Sequence, residues 1–238
     1  MPRRLTNDRR TAPPDHRKGR PRPTEAQIAA LQGVETAFLC DAMGGMGAMA
    51  TPIAPIGFGR DLDCHAVGPA LVADSGPADI IATLAAVNLL TPGDIVVHAA
   101  HGNQNRATIG DQLSGMLKNA GAAGFVTDGP MRDYAGIVAA GLPAWCTGLN
   151  PNSPYTSGPG TLGASATVGG CHVATGDMIV ADRNGVVVIP FARIDEVIGR
   201  VQEVQKLESE LEAKVKDGFK APLDIDAMLT DGSAVEIV

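Results

Sequence analysis

Between residues 65 and 147 the chain repeatedly alternates short apolar runs with longer helix-forming segments. Strands are expected at 65–73, 94–98, 124–127 and 144–147, each bounded by Gly, Pro or Asp. Helical patterns lie between them at 77–90, 106–120 and 133–140, the last stopped by Gly141 and Pro143. A strand that reaches the next strand through a helix starts again at the same edge of the sheet. Such strands are therefore parallel and covered on both faces. This predicts an α/β core, and it sets ligands at the carboxyl ends of the strands.

The flanks elaborate that core. Thr24, with Gln27 three residues on, forms a capping box for a first helix, and a second short helix carries residues 37–43 towards Gly44-Gly45. Residues 47–61 and 150–163 read as Pro/Gly-rich loops. Further strands are expected around 166–173, 178–181 and 186–189. A long charged amphipathic helix follows over 191–216, with Gly218 as its stop and a short tail after it. Gly93-Asp94 and Gly176-Asp177 each lead into an Ile/Val strand, which reads as one turn chemistry used twice.

Charge divides the chain. Residues 1–23 hold eight of the 19 Lys and Arg, two of the 26 acids and five prolines, leaving a body with 11 bases and 24 acids, a net of −13. The basic segment has too little apolar surface to offset its ordering entropy and reads as a flexible or draped arm. The acidic body repels phosphate backbones, and aromatics at 3% offer few stacking platforms, so nucleic-acid binding is not expected of it. The four cysteines (Cys40, Cys64, Cys146, Cys171) show no metal-binding or redox spacing and read as buried thiols in a reducing compartment. No apolar run is long enough to span a membrane and no signal peptide is readable, so the protein is expected in the cytoplasm. The domain is placed at 24–218, with a tail at 219–238.

Two loop-borne clusters carry chemistry. Thr127-Asp128-Gly129-Pro130-Met131-Arg132-Asp133 follows directly on the apolar strand Gly124–Val126. A carboxylate there is a hard oxygen donor suited to Mg²⁺ or Mn²⁺, and an adjacent Arg suits a carboxylate or enolate. The competing reading makes Asp133 a helix cap and Arg132 a solvated side chain. The second cluster is Asn105-Arg106-Ala-Thr-Ile-Gly110-Asp111-Gln112-Leu113. Gly110 admits close backbone approach, and the amides after it can grip a carboxylate. Asp111 is equally readable as a plain polar helix position. His98-x-x-His101 lacks a completing metal motif and reads as core and loop histidines.

Together with Gly158-Pro159-Gly160, Gly169-Gly170, Gly176-Asp177 and Asp182-x-x-Gly185, these clusters resemble the RraA-like family from about residue 34 to 218. The string from Gly124 to Asp133 is the most specific part. That family includes class II pyruvate aldolases acting on 4-hydroxy-4-methyl-2-oxoglutarate and 4-carboxy-4-hydroxy-2-oxoadipate. The resemblance implies a swivelling β/β/α (α/β/α) domain with a long C-terminal helix, assembled as a homotrimer or homohexamer. It implies Asp133 as the sole protein ligand of a divalent cation, and Arg132 as the residue that stabilises the enolate. It also makes Gly110, Asp111, Gln112 and Leu113 the pyruvyl-binding loop, with Asp111 holding a water. A Glu from a neighbouring subunit's C-terminal helix completes the family's aldolase site; Glu208 fits it best by spacing, with Glu212 open, and an exposed helix face is the plain alternative. The family often has Glu-Leu-Leu where this chain has Asp111-Gln112-Leu113, and the basic arm has no counterpart in the family core. Oxaloacetate decarboxylation is implied as a side activity. The rival reading is a non-catalytic regulator that binds an RNA-degrading enzyme.

Overall fold

The computed structural model describes residues 20–236. Two compact units divide the chain, Met1–Val201 and Gln202–Val238. The first opens with α1 (Glu25–Leu31), whose capping box between Thr24 and Gln27 is formed as expected, and α2 (Thr36–Ala42). There follow β1 (Ala54–Pro55), β2 (Ala66–Asp74), α3 (Ile81–Leu89), β3 (Ile95–Ala99), α4 (Asp111–Asn119), β4 (Gly124–Thr127), α5 (Tyr134–Ala140) and β5 (Ala144–Cys146). Then come β6 (Thr161–Leu162), β7 (Ser165–Val168), β8 (Cys171–Ala174), β9 (Met178–Ala181), β10 (Val186–Ile189) and the start of α6 (Ile194–Lys216).

The strands β2, β3, β4 and β5 lie side by side and parallel, as the alternation requires. An antiparallel β1 closes one edge, and β9 then β10 extend the other, giving the order β1-β5-β4-β3-β2-β9-β10 with β6 added onto β2. β7 and β8 form a separate hairpin through Gly169-Gly170. The core is made of small and branched residues, Val72, Val96, Val97, Val126, Ile179 and Val180 among them, with Phe125 and Trp145 fully buried.

Three expected elements differ in extent. The helix expected over 77–90 starts only at Ile81, because Ala78 sits at φ 65° and Asp79 serves as an acceptor hub. Asp79 takes the amides of Ile81, Ser157 and Gly158, which ties the helix entrance to the 150s loop. The helix expected from 106 starts at Asp111, because residues 107–110 are drawn into extended pairing. The Ala107 amide donates to Asn152 O, the Thr108 amide to Pro130 O, and Ile109 O accepts from the Arg132 amide. The single strand expected at 166–173 is two, turned at paired glycines, and the loop 150–163 ends in β6.

Most of the expected basic arm, residues 1–19, lies outside the described residues. Residues 20–23 lie along the body, and the two Gly-Asp turns receive them. Asp94, whose side chain is wholly buried, accepts from Arg20 Nη2 at 2.6 Å and from Arg22 Nη1. A Cβ on Gly176 would lie 2.5 Å from Pro21 O, so this turn needs glycine to let the chain pass.

In the second unit, the distal part of α6 carries exposed Leu207, Glu208, Leu211 and Val215. A further helix, α7 (Ile225–Asp231), is capped by Asp224, so the expected tail is helical in part. Among the described residues no helix is long and apolar enough to cross a membrane.

Candidate active site

The carboxyl end of β4 runs into residues 128–133, and this segment is held on both sides. On one side are the pairings with residues 107–110; on the other, the Thr147 amide donates to Gly129 O, the Met131 amide to Gly148 O and the Asn150 amide to Met131 O. The hydrogen-bonding pattern of the sheet thus continues past the strand ends. Gly129 is needed for this closeness, since a Cβ there would meet Ala100 Cβ at 2.7 Å and Thr108 Cγ2 at 2.8 Å. Asp128 turns away from the site and accepts from the Ala100 amide at 2.6 Å, pinning the loop after β3.

At the end of this segment Asp133 adopts a left-handed conformation, φ 59° and ψ 47°. It stands at the cap position of α5, but its carboxylate makes no capping bond, so the helix-cap reading describes its place and not its side chain. Such a conformation costs a non-glycine residue about 1–2 kcal/mol and occurs where surrounding structure imposes it. Arg132 Nη1 donates to Ser153 Oγ at 2.6 Å, so that side chain is tethered and not free in solvent. Its Nε lies 3.2 Å from Asp133 Oδ2, at ion-pair distance but not aligned as a hydrogen bond. The Nε is buried without an aligned acceptor.

Gly110 faces both groups. A Cβ at Gly110 would fall 2.4 Å from Asp133 Oδ2, 3.1 Å from Arg132 Cγ and 3.2 Å from Arg132 Nε. Its backbone, at φ −124°, is open to any residue, so only the close approach demands glycine. Asp111 opens α4 immediately afterwards. It packs so tightly on α5 that a Cβ at Gly136 would lie 2.4 Å from Asp111 Cβ and 2.7 Å from its Oδ2. Asp111 Oδ1 accepts from the Gln112 amide at 2.7 Å, which takes that amide out of the set able to bind a ligand. The first-turn amides of Asp111 and Leu113 have no acceptor within the helix and remain as donors. Gln112 is exposed, whereas the Leu113 side chain is buried in the core.

The structure thus brings Gly110, Asp111, Arg132 and Asp133 together within one chain. Glu208 belongs to the second unit, on an exposed stretch of helix. The chemistry of the donor set fits a hard cation of the Mg²⁺ kind. Asp133 offers an exposed carboxylate that accepts no hydrogen bond among the described residues, and Mg²⁺ is commonly held by one or two carboxylates with water and substrate filling the rest. No group of three or more His, Cys, Asp or Glu residues forms a ready-made metal cage among the described residues.

Sequence reasoning passed over Ser153 and Tyr155. Arg106 Nη1 donates to Ser153 O at 2.6 Å, and the Arg106 guanidinium lies 4.2 Å above the centre of the Tyr155 ring. Their loop has no periodicity to read, and its pairing to residues distant in sequence, among them Ala78, Arg106, Ala107 and Arg132, places it here. The histidine reading holds. His98 is buried, with Nδ1 2.8 Å from Thr83 Oγ1, and desolvation pulls its pKa down to about 4. His101 Nε2 pairs with Asp74 Oδ1 at 2.7 Å on the loop beside the site.

Comparison with known proteins fits this geometry. The RraA-like family model, described as Aldolase/RraA, matches residues 36–188. A protein of Halalkalibacterium halodurans bearing the provisional name 4-hydroxy-4-methyl-2-oxoglutarate aldolase is 31% identical over 194 residues, 82% of this chain and 90% of its own. Streptomyces coelicolor RraAS2, described as an unusual member of the RNase ES inhibitor RraA protein family, superposes with a TM-score of 0.70 at 27% identity, covering 80% of this chain and 98% of its own. An uncharacterized protein from Pseudomonas syringae pv. tomato shares the fold, with a TM-score of 0.75 at 21% identity over 85% of this chain and 93% of its own. With the match spanning the whole strand–helix core and both site clusters, the chain belongs to the RraA-like family.

Proposed function

We propose that this protein is a divalent-metal-dependent lyase that cleaves 4-hydroxy-2-oxo acids to pyruvate through an enolate. The substrates are of the 4-hydroxy-4-methyl-2-oxoglutarate or 4-carboxy-4-hydroxy-2-oxoadipate type, and oxaloacetate is decarboxylated at the same site. The observation that carries this reading is the convergence of the Asp133 carboxylate and the Arg132 Nε on the bare face of Gly110. A carboxylate for a hard cation and a cation for a nascent oxyanion meet at Gly110, and the first-turn amides of α4, suited to a carboxylate, follow it directly in the chain. The provisional aldolase name of a relative aligned over most of the chain points the same way.

Asp133 would hold Mg²⁺ or Mn²⁺, and the bound ion would supply Lewis-acid polarisation of the 2-oxo group. The amides of Asp111 and Leu113 receive the pyruvyl carboxylate. A water on Asp111 takes the proton of the 4-hydroxyl as the C3–C4 bond breaks. C4 then leaves as a carbonyl, and the bonding electrons pass to the 2-oxo oxygen. The Arg132 guanidinium, tethered through Nη1 to Ser153 and with further N–H donors left, stabilises the charge that develops on the enolate oxygen, a stabilisation gained in the transition state. The proton returns to C3, and pyruvate is released. In a homotrimer or homohexamer, Glu208 of a neighbouring copy completes the site. A lyase of small acids with no membrane-spanning helix among its described residues fits the cytoplasm.

The test follows pyruvate release from oxaloacetate and from 4-hydroxy-4-methyl-2-oxoglutarate, with Mg²⁺, with Mn²⁺ and with a chelator. Turnover abolished by the chelator and restored by the ion is expected. No turnover under any condition would favour the regulator reading, in which binding to an RNA-degrading enzyme is indifferent to metal and to Arg132→Ala.

A further inference from the structure

We propose that Arg106 is the specificity residue of this site, holding a second carboxylate on the C4 side of the substrate, so that the second product is itself an acid and not an aldehyde. This rests on the lyase reading above.

Arg106 and Arg132 meet on one residue. Arg106 Nη1 donates to Ser153 O at 2.6 Å and Arg132 Nη1 to Ser153 Oγ at 2.6 Å. The covalent reach of a single serine keeps those two nitrogens within about 10 Å of each other. With the 2-oxo oxygen on Arg132, a carboxylate attached to C4 lies about 4 Å from the 2-oxo carbon at ordinary bond lengths, which is within the span between the two guanidinium groups.

The state of Arg106 supports a role beyond tethering. It forms no ion pair among the described residues, in a body of strong net negative charge. One of its N–H groups is committed to Ser153, and Tyr155 covers a face of the guanidinium, so the remaining donors lie along its edge. A guanidinium stacked flat with its edge open is oriented to receive a carboxylate in bidentate fashion. The short segment from Arg106 to Gly110 is itself fixed by the hydrogen bonds to Asn152, Pro130 and Arg132. The Arg106 side chain is thus anchored at Ser153, the residue that also tethers Arg132.

The experiment compares kcat/KM for 4-hydroxy-4-methyl-2-oxoglutarate, which has the second carboxylate, with 4-hydroxy-2-oxopentanoate, which lacks it. It uses the full-length chain with Mg²⁺ as wild type, Arg106→Gln and Arg106→Lys. Wild type is expected to favour the diacid. In Arg106→Gln the diacid loses about 10–100-fold, the usual worth of a charge-assisted hydrogen bond, while the neutral-tailed substrate changes by less than about threefold. Arg106→Lys recovers part of the loss on the diacid alone. A parallel loss on both substrates in both variants would make Arg106 a mere tether of the Ser153 loop and overturn the inference, as would no loss in either. If wild type turns over neither substrate, the lyase reading itself fails and this inference with it; turnover of both with no Arg106 effect sinks the inference and leaves the lyase standing.

Discussion

Asp133 Oδ2 and Arg132 Nε stand 3.2 Å apart, although side chains of adjacent residues in extended backbone point to opposite sides. The left-handed turn at Asp133 brings them onto one face. The backbone is therefore strained where the chemistry needs it, and function and stability should separate under mutation. Asp133→Gly removes the conformational penalty together with the carboxylate. It is expected to melt at the wild-type temperature or a few degrees above, while pyruvate release falls by at least about 100-fold, since the carboxylate proposed to hold the cation is gone. Thermal melts run beside turnover assays check both halves. A variant that is destabilised yet active would contradict the role given to Asp133.

Gly110→Ala tests the close approach from the other side. The added methyl would lie 2.4 Å from Asp133 Oδ2, so the carboxylate, the Arg132 stem or both must shift. Overpacking of this kind costs about 1–3 kcal/mol, and a displacement of about 1 Å at reacting groups can cost 100-fold in rate. The expected outcome is a folded protein with a small fall in melting temperature and a loss of activity far out of proportion to it. Because the Gly110 backbone angle suits any residue, a stability loss without a catalytic one would show that the glycine serves packing alone.

The strand–helix alternation was legible because burial on both faces of a parallel sheet writes itself into the sequence as short apolar runs, such as Ile95–Ala99 and Gly124–Thr127. The adjacency of Arg132 and Asp133, and their nearness to Gly110, followed from loops placed at the carboxyl ends of β3 and β4. Helix starts were less legible. Arg106 and Ala107 have good helical propensity, yet tertiary pairing to Asn152 and Pro130 holds this stretch extended. The Ser153–Tyr155 segment was invisible for a related reason. Its position depends on partners far away in the sequence, the Ala78 carbonyl that takes the Tyr155 amide and the Arg106 and Arg132 guanidinium groups that donate to Ser153, and no local pattern records them.

Arg20, Arg22 and Asp94 give a prediction about stability alone. Asp94 is fully buried and takes two guanidinium groups and the Thr91 amide. Truncation through residue 23 leaves that charge buried without its partners, which typically costs about 3–5 kcal/mol. For a chain of this size, a melting point lower by about 6–20 °C is expected, whereas truncation through residue 19 keeps both arginines and should shift it far less. In the longer truncation, Asp94→Asn should recover part of the loss, because an amide is cheaper to leave in a dry site than a carboxylate. Additive losses with no recovery would mean that the segment stabilises the fold by packing and not through this ion pair.

His98 sets an acid limit on the fold. Desolvation holds its pKa near 4 against an ordinary value of 6.5, so the folded chain keeps this imidazole neutral where the unfolded chain protonates it. A lowered pKa in the fold means stability that is complete above about pH 6.5 and drains away as the pH falls towards 4, by about 3 kcal/mol at the limit. Asp74 reinforces the trend. Burial pushes its pKa up, but the His101 hydrogen bond and the Gly76 amide outweigh this and leave it below the usual carboxylate value, so its contribution is lost at still lower pH. Urea unfolding of wild type and His98→Gln between pH 7.5 and 4.5 separates the two groups. The variant is expected to be weaker at pH 7.5, because the contacts with Thr83 and Phe125 change. Its stability should then be nearly flat across the window in which wild type declines. Equal slopes for the two proteins would place the acid sensitivity elsewhere.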